Sequence, residues 1–335
     1  MALLESIYGV LPPALQNLAC SLEGIRIARD RFNHDFDRKL LEYEGRTRWG
    51  WNDLRAYRDS RLAHFIRTYV RGNPTYSGIE KENLVSLRAI EDLHTWPILS
   101  KEDIKGRSAS SLGSQIAEKT QTVHTSGTTG SGFHFIATES GIREQWAVWW
   151  RYRKWHGIDL NTWCAYFGGR TIISPTTKCA PFWRINYPAR QIMFSAYHLS
   201  RETAKSYAGC LRLKRPPWIH GYPSTISLLA NFIIESGFDL GYQPRFITTG
   251  AENLFRQQRR VIERAFGAPV RQHYGSAEAV ANFSECENGA LHVDEDFAAV
   301  EFIPIQGTGL YRVVGTNFTN PATPLVRYDS GDRVT

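Results

Sequence analysis

Cysteine is scarce in this chain. Its 335 residues include five, at positions 20, 164, 179, 210 and 286, and no two form a Cys-x-x-Cys pair. Such wide spacing argues against a disulfide framework and favours a reducing compartment, the cytoplasm. Long apolar runs are missing too. The first stretch, Met1 to Gly24, is apolar in part, but Pro12 and Pro13 interrupt it and no basic segment precedes it, so it reads as neither a signal peptide nor a membrane span. The cluster of Leu3, Leu4, Ile7, Tyr8, Val10 and Leu11 could lie on a membrane surface or a partner; a helix packed on its own domain is the simpler reading. No internal repeat, low-complexity linker or recognisable nucleic-acid module is present. An excess of acid is also lacking: 40 Lys and Arg face 33 Asp and Glu, a net charge of +7 that suits anionic small ligands such as nucleotides. The basic residues of 26–71 and 256–271 alternate with acidic ones, which solvated helix faces explain.

What is present is enough apolar material for a large α/β domain, 42% hydrophobic with 13% aromatic residues. Residues 1–107 read as a mainly helical, charge-rich support region. A helix starts at Asn52 or Asp53 and ends at Gly72, its face drawn by Leu54, Tyr57, Arg61, Leu62, Phe65, Ile66 and Tyr69. Ser100 with Asp103 resembles a capping box. From Thr122 onward strands and helices alternate. Ser140 opens a helix over 141–156 that Gly157 closes, and its four tryptophans, Trp146, Trp149, Trp150 and Trp155, are read as core. Over 218–278 three β-loop-α units follow one another, with loops at Gly221-Tyr222-Pro223-Ser224, Gly250-Ala251-Glu252 and Gly275-Ser276-Ala277-Glu278. Strands joined through helices are parallel with right-handed crossovers, so the three loops are expected at one carboxyl edge, where open α/β sheets bind ligands.

The densest signal is Val123-His124-Thr125-Ser126-Gly127-Thr128-Thr129-Gly130-Ser131-Gly132, small hydroxyl residues and glycines between two segments that read as strands. Glycine lets the backbone approach an anion, and Ser and Thr hydroxyls add rotatable donors, so the loop can wrap phosphate. The Gly127-x4-Gly132 spacing fits a P-loop, but Phe133-His134 occupy the Lys-Ser/Thr positions and a strand follows in place of a helix, which disfavours a P-loop NTPase. Alone, the loop is equally readable as a hairpin turn.

Three further motifs change that reading: Gly250-Ala251-Glu252, Tyr274-Gly275-Ser276-Ala277-Glu278 and Tyr328-Asp329-Ser330-Gly331-Asp332. In order and rough spacing, the four together resemble the adenylate-forming enzymes, the superfamily of acyl-CoA synthetases, peptide-synthetase adenylation domains and luciferases. Pro97-Ile98-Leu99-Ser100-Lys101-Glu102-Asp103, Pro181-Phe182-Trp183-Arg184-Ile185-Asn186 and Gly221-Tyr222-Pro223-Ser224 narrow the resemblance to the phenylacetate-CoA ligase-like branch, which includes members of capsule polysaccharide biosynthesis. Nearly the whole chain is covered.

The resemblance implies an α/β fold, the large N-terminal domain of these enzymes, with β-sheets flanked by helices and a nucleotide- and substrate-binding region over 108–335. It implies attack of a carboxylate on the α-phosphate of ATP, giving acyl-adenylate and pyrophosphate, with coenzyme A as the second substrate or, alternatively, an amine, a sugar or a carrier protein. Thr125, Ser126, Gly127, Thr128, Thr129 and Gly130 would hold the β- and γ-phosphates. Glu278 would bind Mg²⁺, and Thr128 and Glu278 would take the catalytic roles. Gly250, Ala251, Glu252, Tyr274, Gly275 and Ser276 would line the nucleotide site, and Asp332 would accept hydrogen bonds from the ribose hydroxyls. His198, His220 and Trp183 stand as weaker candidates for an acyl pocket, behind structural roles. Some members of the branch hold zinc near the region of Cys286 and His292; two further ligands are not evident here, so a buried thiol and an unrelated imidazole are preferred.

Three positions depart from the family pattern. Ser131 stands where Lys is frequent, so a phosphate countercharge would come from elsewhere, Arg143 or Arg170 being candidates. Ala277 replaces the frequent Thr. The chain ends at Thr335, three residues after Asp332, where the family continues into a small C-terminal domain with a catalytic Lys; the expectation is an N-terminal domain only, weakly active or, in a third reading, a noncatalytic nucleotide-binding scaffold.

Overall fold

The computed structural model describes residues 8–71, 73–79, 86–104, 116–124 and 134–335. In chain order, the helices are α1 Pro13–Arg31, α2 His34–Arg46, α3 Trp51–Phe65, α4 Lys101–Ile104, α5 Glu139–Trp155, α6 Ala204–Lys214, α7 Pro223–Ser236 and α8 Arg256–Phe266. The strands are β1 Thr120–His124, β2 His134–Thr138, β3 Cys164–Gly168, β4 Trp183–Asn186, β5 Gln191–Ser195, β6 Trp218–Gly221, β7 Phe246–Thr249, β8 Val270–Gly275, β9 Asn282–Glu285, β10 Leu291–Val293, β11 Ala298–Ile305, β12 Leu310–Asn317 and β13 Tyr328–Val334. The chain divides into two compact units.

The first unit comprises the described part of Met1–Asp30 together with Arg153–His273 and Glu285–Ala290. Its sheet runs β8-β7-β6-β3-β5-β4. β3 pairs in parallel with β5 and β6, β6 with β7, and β7 with β8, whereas β4 lies antiparallel on β5. The β-α-β order over 218–275 is as the sequence anticipated, but the third β-loop-α unit is not: after β8 the chain turns at 276–279 straight into strand β9, with no helix between them. Short, almost wholly buried strands such as Ile247-Thr248-Thr249 are what a parallel sheet covered on both faces requires. Local chemistry sets the helix ends: Pro223 fills the first position of α7, where its missing N–H costs nothing, and Gly237 takes φ +63° at the other end. Gly221 lies so close to β3 that an added Cβ would overlap Phe167 O. The core gathers Phe167, Phe194, Tyr207, Ile219, Ile226 and Ile247.

The second unit comprises Arg31–Tyr152, Tyr274–Ser284 and Leu291–Thr335. β1 and β2 form an antiparallel hairpin, and β11-β12-β13 an antiparallel sheet. The capping box at Ser100 is present: Ser100 N donates to Asp103 Oδ2 at 2.7 Å and Asp103 N to Ser100 Oγ at 3.2 Å. Two helix boundaries differ from the sequence reading. α5 starts at Glu139, and Thr138 caps it by accepting from Gly141 N at 3.0 Å, because the strand delivers Thr138 to that spot. α3 runs on from Phe65 into a π-helical turn, Ile66–Val70, with Arg71 N bonded to Ile66 O; Gly72 lies outside the described residues.

Alongside an apolar core that includes Leu62, Phe135, Leu325 and Tyr328, this unit buries charge. Arg151 joins Asp294 at 2.6 Å and Asp296 at 2.8 Å, and Arg46 shares Asp296. Glu144 accepts from Arg61 at 2.6 Å, Tyr43 at 2.9 Å and Lys39 at 3.2 Å. Such groups leave water only when paired and hydrogen-bonded. Among the described residues no helix is long and apolar enough to cross a membrane.

Candidate functional site

The phosphate-loop reading of Thr125, Ser126, Gly127, Thr128, Thr129 and Gly130 lies outside the described residues, as does Ser131. Its two flanks are described. His124 and His134 face each other across the hairpin, with ring centroids 4.0 Å apart, so the ends of that segment are held side by side as the strand reading required.

In the first unit, Gly250-Ala251-Glu252 leaves the carboxyl end of β7. Gly250 N donates to Gly221 O, and Ala251 takes φ +66°, a left-handed conformation that costs a non-glycine residue about 1–2 kcal/mol. A position held against that cost is one whose backbone direction matters. Glu252 Oε2 accepts from Ser224 N at 3.2 Å, which seats its carboxylate on the first turn of α7, where the helix dipole favours an anion.

In the second unit, Tyr274, Glu278, Tyr328 and Asp332 are brought together. Tyr274 donates to Asp332 Oδ2 at 2.7 Å across 58 residues and stacks on Phe283 at 4.7 Å. Tyr328 reaches Glu278 Oε1 at 3.5 Å, the limit of a hydrogen bond. Residues 276–279 form a tight turn, with Ala279 N on Ser276 O and Ala279 at φ +58°, which points Glu278 out of the chain's path. Gln145 donates to Ser276 O at 2.8 Å and Asn317 to Glu278 O at 3.1 Å, fixing that turn from both sides. The Ser276 hydroxyl is buried with no partner among the described residues, a donor poised for something else. Asp332 is exposed; its N–H bonds Ser330 Oγ, and Gly331 takes φ +84° before it.

Burial pushes the Glu278 carboxyl above the usual carboxylate range, and the Lys101 charge pulls it partly back. Lys101 opens α4, and the segment before it is pinned to β13 by Leu99 N on Arg327 O at 2.9 Å and Asp329 N on Leu99 O at 2.8 Å. A half-buried carboxylate reluctant to ionise gains most from a cation, so Glu278 suits a metal or a cationic neighbour. Among the described residues no group of three or more His, Cys, Asp or Glu is arranged to hold a metal ion.

Lys101, Tyr328 and Asn317 had no assigned role in the sequence reading. One signal was available: Tyr328, Ser330 and Asp332 alternate along β13, the spacing that puts residues on one face of a strand. Of the weaker candidates, His220 is half-buried with Nδ1 2.8 Å from Thr248 Oγ1, and desolvation together with the Arg153 charge depresses it to about 3, leaving it neutral. His198 Nδ1 lies 2.8 Å from Ser195 Oγ and the ring stacks on Phe182; Trp183 packs on Phe194. Arg143 is engaged by Asp35 at 2.8 Å and Glu139 at 3.4 Å, whereas Arg170 is exposed.

The fold is that of the adenylate-forming enzymes. A 2-hydroxyisobutyryl-CoA ligase, solved in an open conformation with 2-HIB-AMP and CoA, superposes with a TM-score of 0.62 at 17% identity over 82% of this chain and 64% of the ligase. The same ligase in its thioesterification state gives 0.59 at 18% identity over 85% and 64%. The chain thus spans just under two thirds of that enzyme's length. In sequence it is similar to Protein CapK of Staphylococcus aureus, 28% identical over 334 residues, 99% of this chain and 73% of CapK. No family model matches. The fold implied by the resemblance of four short motifs is borne out.

Proposed function

We propose that this protein activates a carboxylic acid with ATP, forming an acyl-adenylate and pyrophosphate, and passes the acyl group to coenzyme A. The observation that carries this is the grouping of Tyr274, Glu278 and Asp332 in one unit, residues of two motifs far apart in the chain, on a fold shared with a ligase captured with an acyl-AMP and CoA.

The reaction joins two anions, so it calls for charge neutralisation and alignment and needs no strong base: the carboxylate is already ionised at neutral pH. One carboxylate oxygen attacks the α-phosphorus, the bond from that phosphorus to the bridging oxygen breaks, and pyrophosphate departs with the electron pair. Asp332 would take the ribose hydroxyls, oriented by Tyr274, and Ser276 with Gly275 would donate toward phosphate. Residues 125–130 would hold the β- and γ-phosphates. Glu278 would hold Mg²⁺, whose chemistry is to neutralise phosphate charge. In this reading, residues 1–107 support the site built by 108–335. Five free thiols and the use of ATP favour the cytoplasm.

The similarity to CapK and to the phenylacetate-CoA ligase-like branch favours a second reading of the final step, transfer to an amine, sugar or carrier protein in polysaccharide synthesis. Ala277, lacking the hydroxyl of the family's Thr, favours a noncatalytic scaffold. Carboxylate-dependent ATP–pyrophosphate exchange over a panel of acids decides the first half-reaction. Exchange that disappears in Glu278→Ala supports the ligase; tight ATP binding with no exchange for any acid rejects it.

A further inference from the structure

Helix α1 is inside out. Its inward face is polar: Asn17 Oδ1 accepts from Ile185 N at 2.9 Å, Ser21 Oγ accepts from Tyr187 N at 3.2 Å, and Gln16 bonds the Arg184 guanidinium. These four-residue steps match the free edge of β4, so α1 satisfies the backbone donors of a strand that, among the described residues, pairs only with β5. Gly24 completes that face, since a Cβ there would overlap the Asn186 side chain. The large apolar residues consequently point away. Leu15, Leu18, Leu22 and Ile25 are 48%, 55%, 58% and 38% exposed, on a helix whose spacing puts all four along one stripe. A contiguous exposed stripe of this kind marks an interaction surface.

We propose that this stripe is a seam on which two copies of the chain pair antiparallel. The steps between the four residues, three, four and three, read the same in both directions, so a two-fold axis at position 20 sets Leu15 against Ile25 and Leu18 against Leu22 of the other copy, the self-complementarity an isologous interface requires. Charge selects the same arrangement. Residues 9–22 carry no charge, while Glu23, Arg26, Arg29, Asp30 and Arg31 crowd the other end. Antiparallel pairing lays each charged end on an uncharged one; parallel pairing would set Arg29 against itself. A lipid surface fits less well, because interfacial helices carry a basic polar face. Here that face is amide and hydroxyl, packed on β4, and Arg26 is neutralised by Glu23 at 2.6 Å and Asp30 at 3.1 Å. One helix pair buries less than the roughly 800 Å² per partner of a standard interface, so dimerisation is expected in the micromolar range.

Sedimentation equilibrium of the full chain from 2 to 200 µM tests this. The wild type should pass from monomer to dimer, whereas Leu18→Glu alone and Leu22→Lys alone should remain monomeric with unchanged far-UV circular dichroism, because both positions face out. Mixing the two variants should restore dimers, since position 18 meets position 22 only in the antiparallel register. A wild type monomeric at 200 µM overturns the proposal, as do variants that dimerise as well as wild type or a mixture that stays monomeric. Binding of the monomeric wild type to phosphatidylglycerol vesicles, lost in Leu18→Glu, would overturn it in favour of a membrane.

Discussion

Replacing Glu144 by Gln should cost the second unit about 3–5 kcal/mol of stability at pH 7, the usual loss when one partner of a buried ion pair is removed. The carboxylate is buried and receives Arg61, Tyr43 and Lys39; the amide keeps the shape but leaves two cations facing a neutral group. Burial alone would raise this carboxyl, yet the charges of Arg61 and Lys39 outweigh it and hold the group at about 2 against an ordinary 4.5. At about 1.4 kcal/mol per unit, that gap corresponds to roughly 3 kcal/mol. The sign follows from linkage. A carboxyl depressed in the folded state binds protons more tightly when unfolded, so its contribution is whole above pH 4.5 and drains away as the pH falls toward 2. Urea unfolding followed by tryptophan fluorescence, for wild type and Glu144→Gln, should therefore show a gap at pH 7 that narrows by pH 3. A variant within 1 kcal/mol of wild type at neutral pH, or a gap that does not change with pH, refutes the reasoning.

Glu278 shows the opposite sign: burial raises its carboxyl, so the stabilisation its protonated form supplies is lost as the pH rises through the folded value, and the ionised group costs stability at pH 7. Glu278→Gln should accordingly raise the melting temperature while abolishing exchange; a lower melting temperature argues against that balance. Gly315→Ala places a Cβ into the backbone carbonyl of Val280, which cannot swing aside, and should destabilise by about 2 kcal/mol or more in a urea titration. Tyr274→Phe removes the hydrogen bond that orients Asp332 and should weaken ATP binding about tenfold by calorimetry, roughly 1.4 kcal/mol, without unfolding the chain. Ala251→Gly relieves a left-handed alanine and should stabilise by about 0.5–1 kcal/mol, read as a shift of the urea midpoint.

Much was fixed by local pattern. The β-α-β order over 218–275, the parallel pairing that sends 221–224 and 250–252 to the carboxyl ends of β6 and β7, the Ser100–Asp103 cap and the strands around residues 125–133 follow from hydrophobic period, turn residues and right-handed crossover, each a property of a few neighbouring residues. Other features exist only because distant segments meet. Tyr274 finds Asp332 58 residues away, Thr138 and not Ser140 caps α5, and Arg143 is taken up by Asp35 and so is no spare countercharge. α1 turns its leucines outward because an unpaired strand edge needs hydrogen-bond acceptors more than it needs methyl groups. The sequence of a helix records which residues share a face; what that face will touch depends on the backbone groups left unsatisfied elsewhere, and those are known only once the sheet has formed.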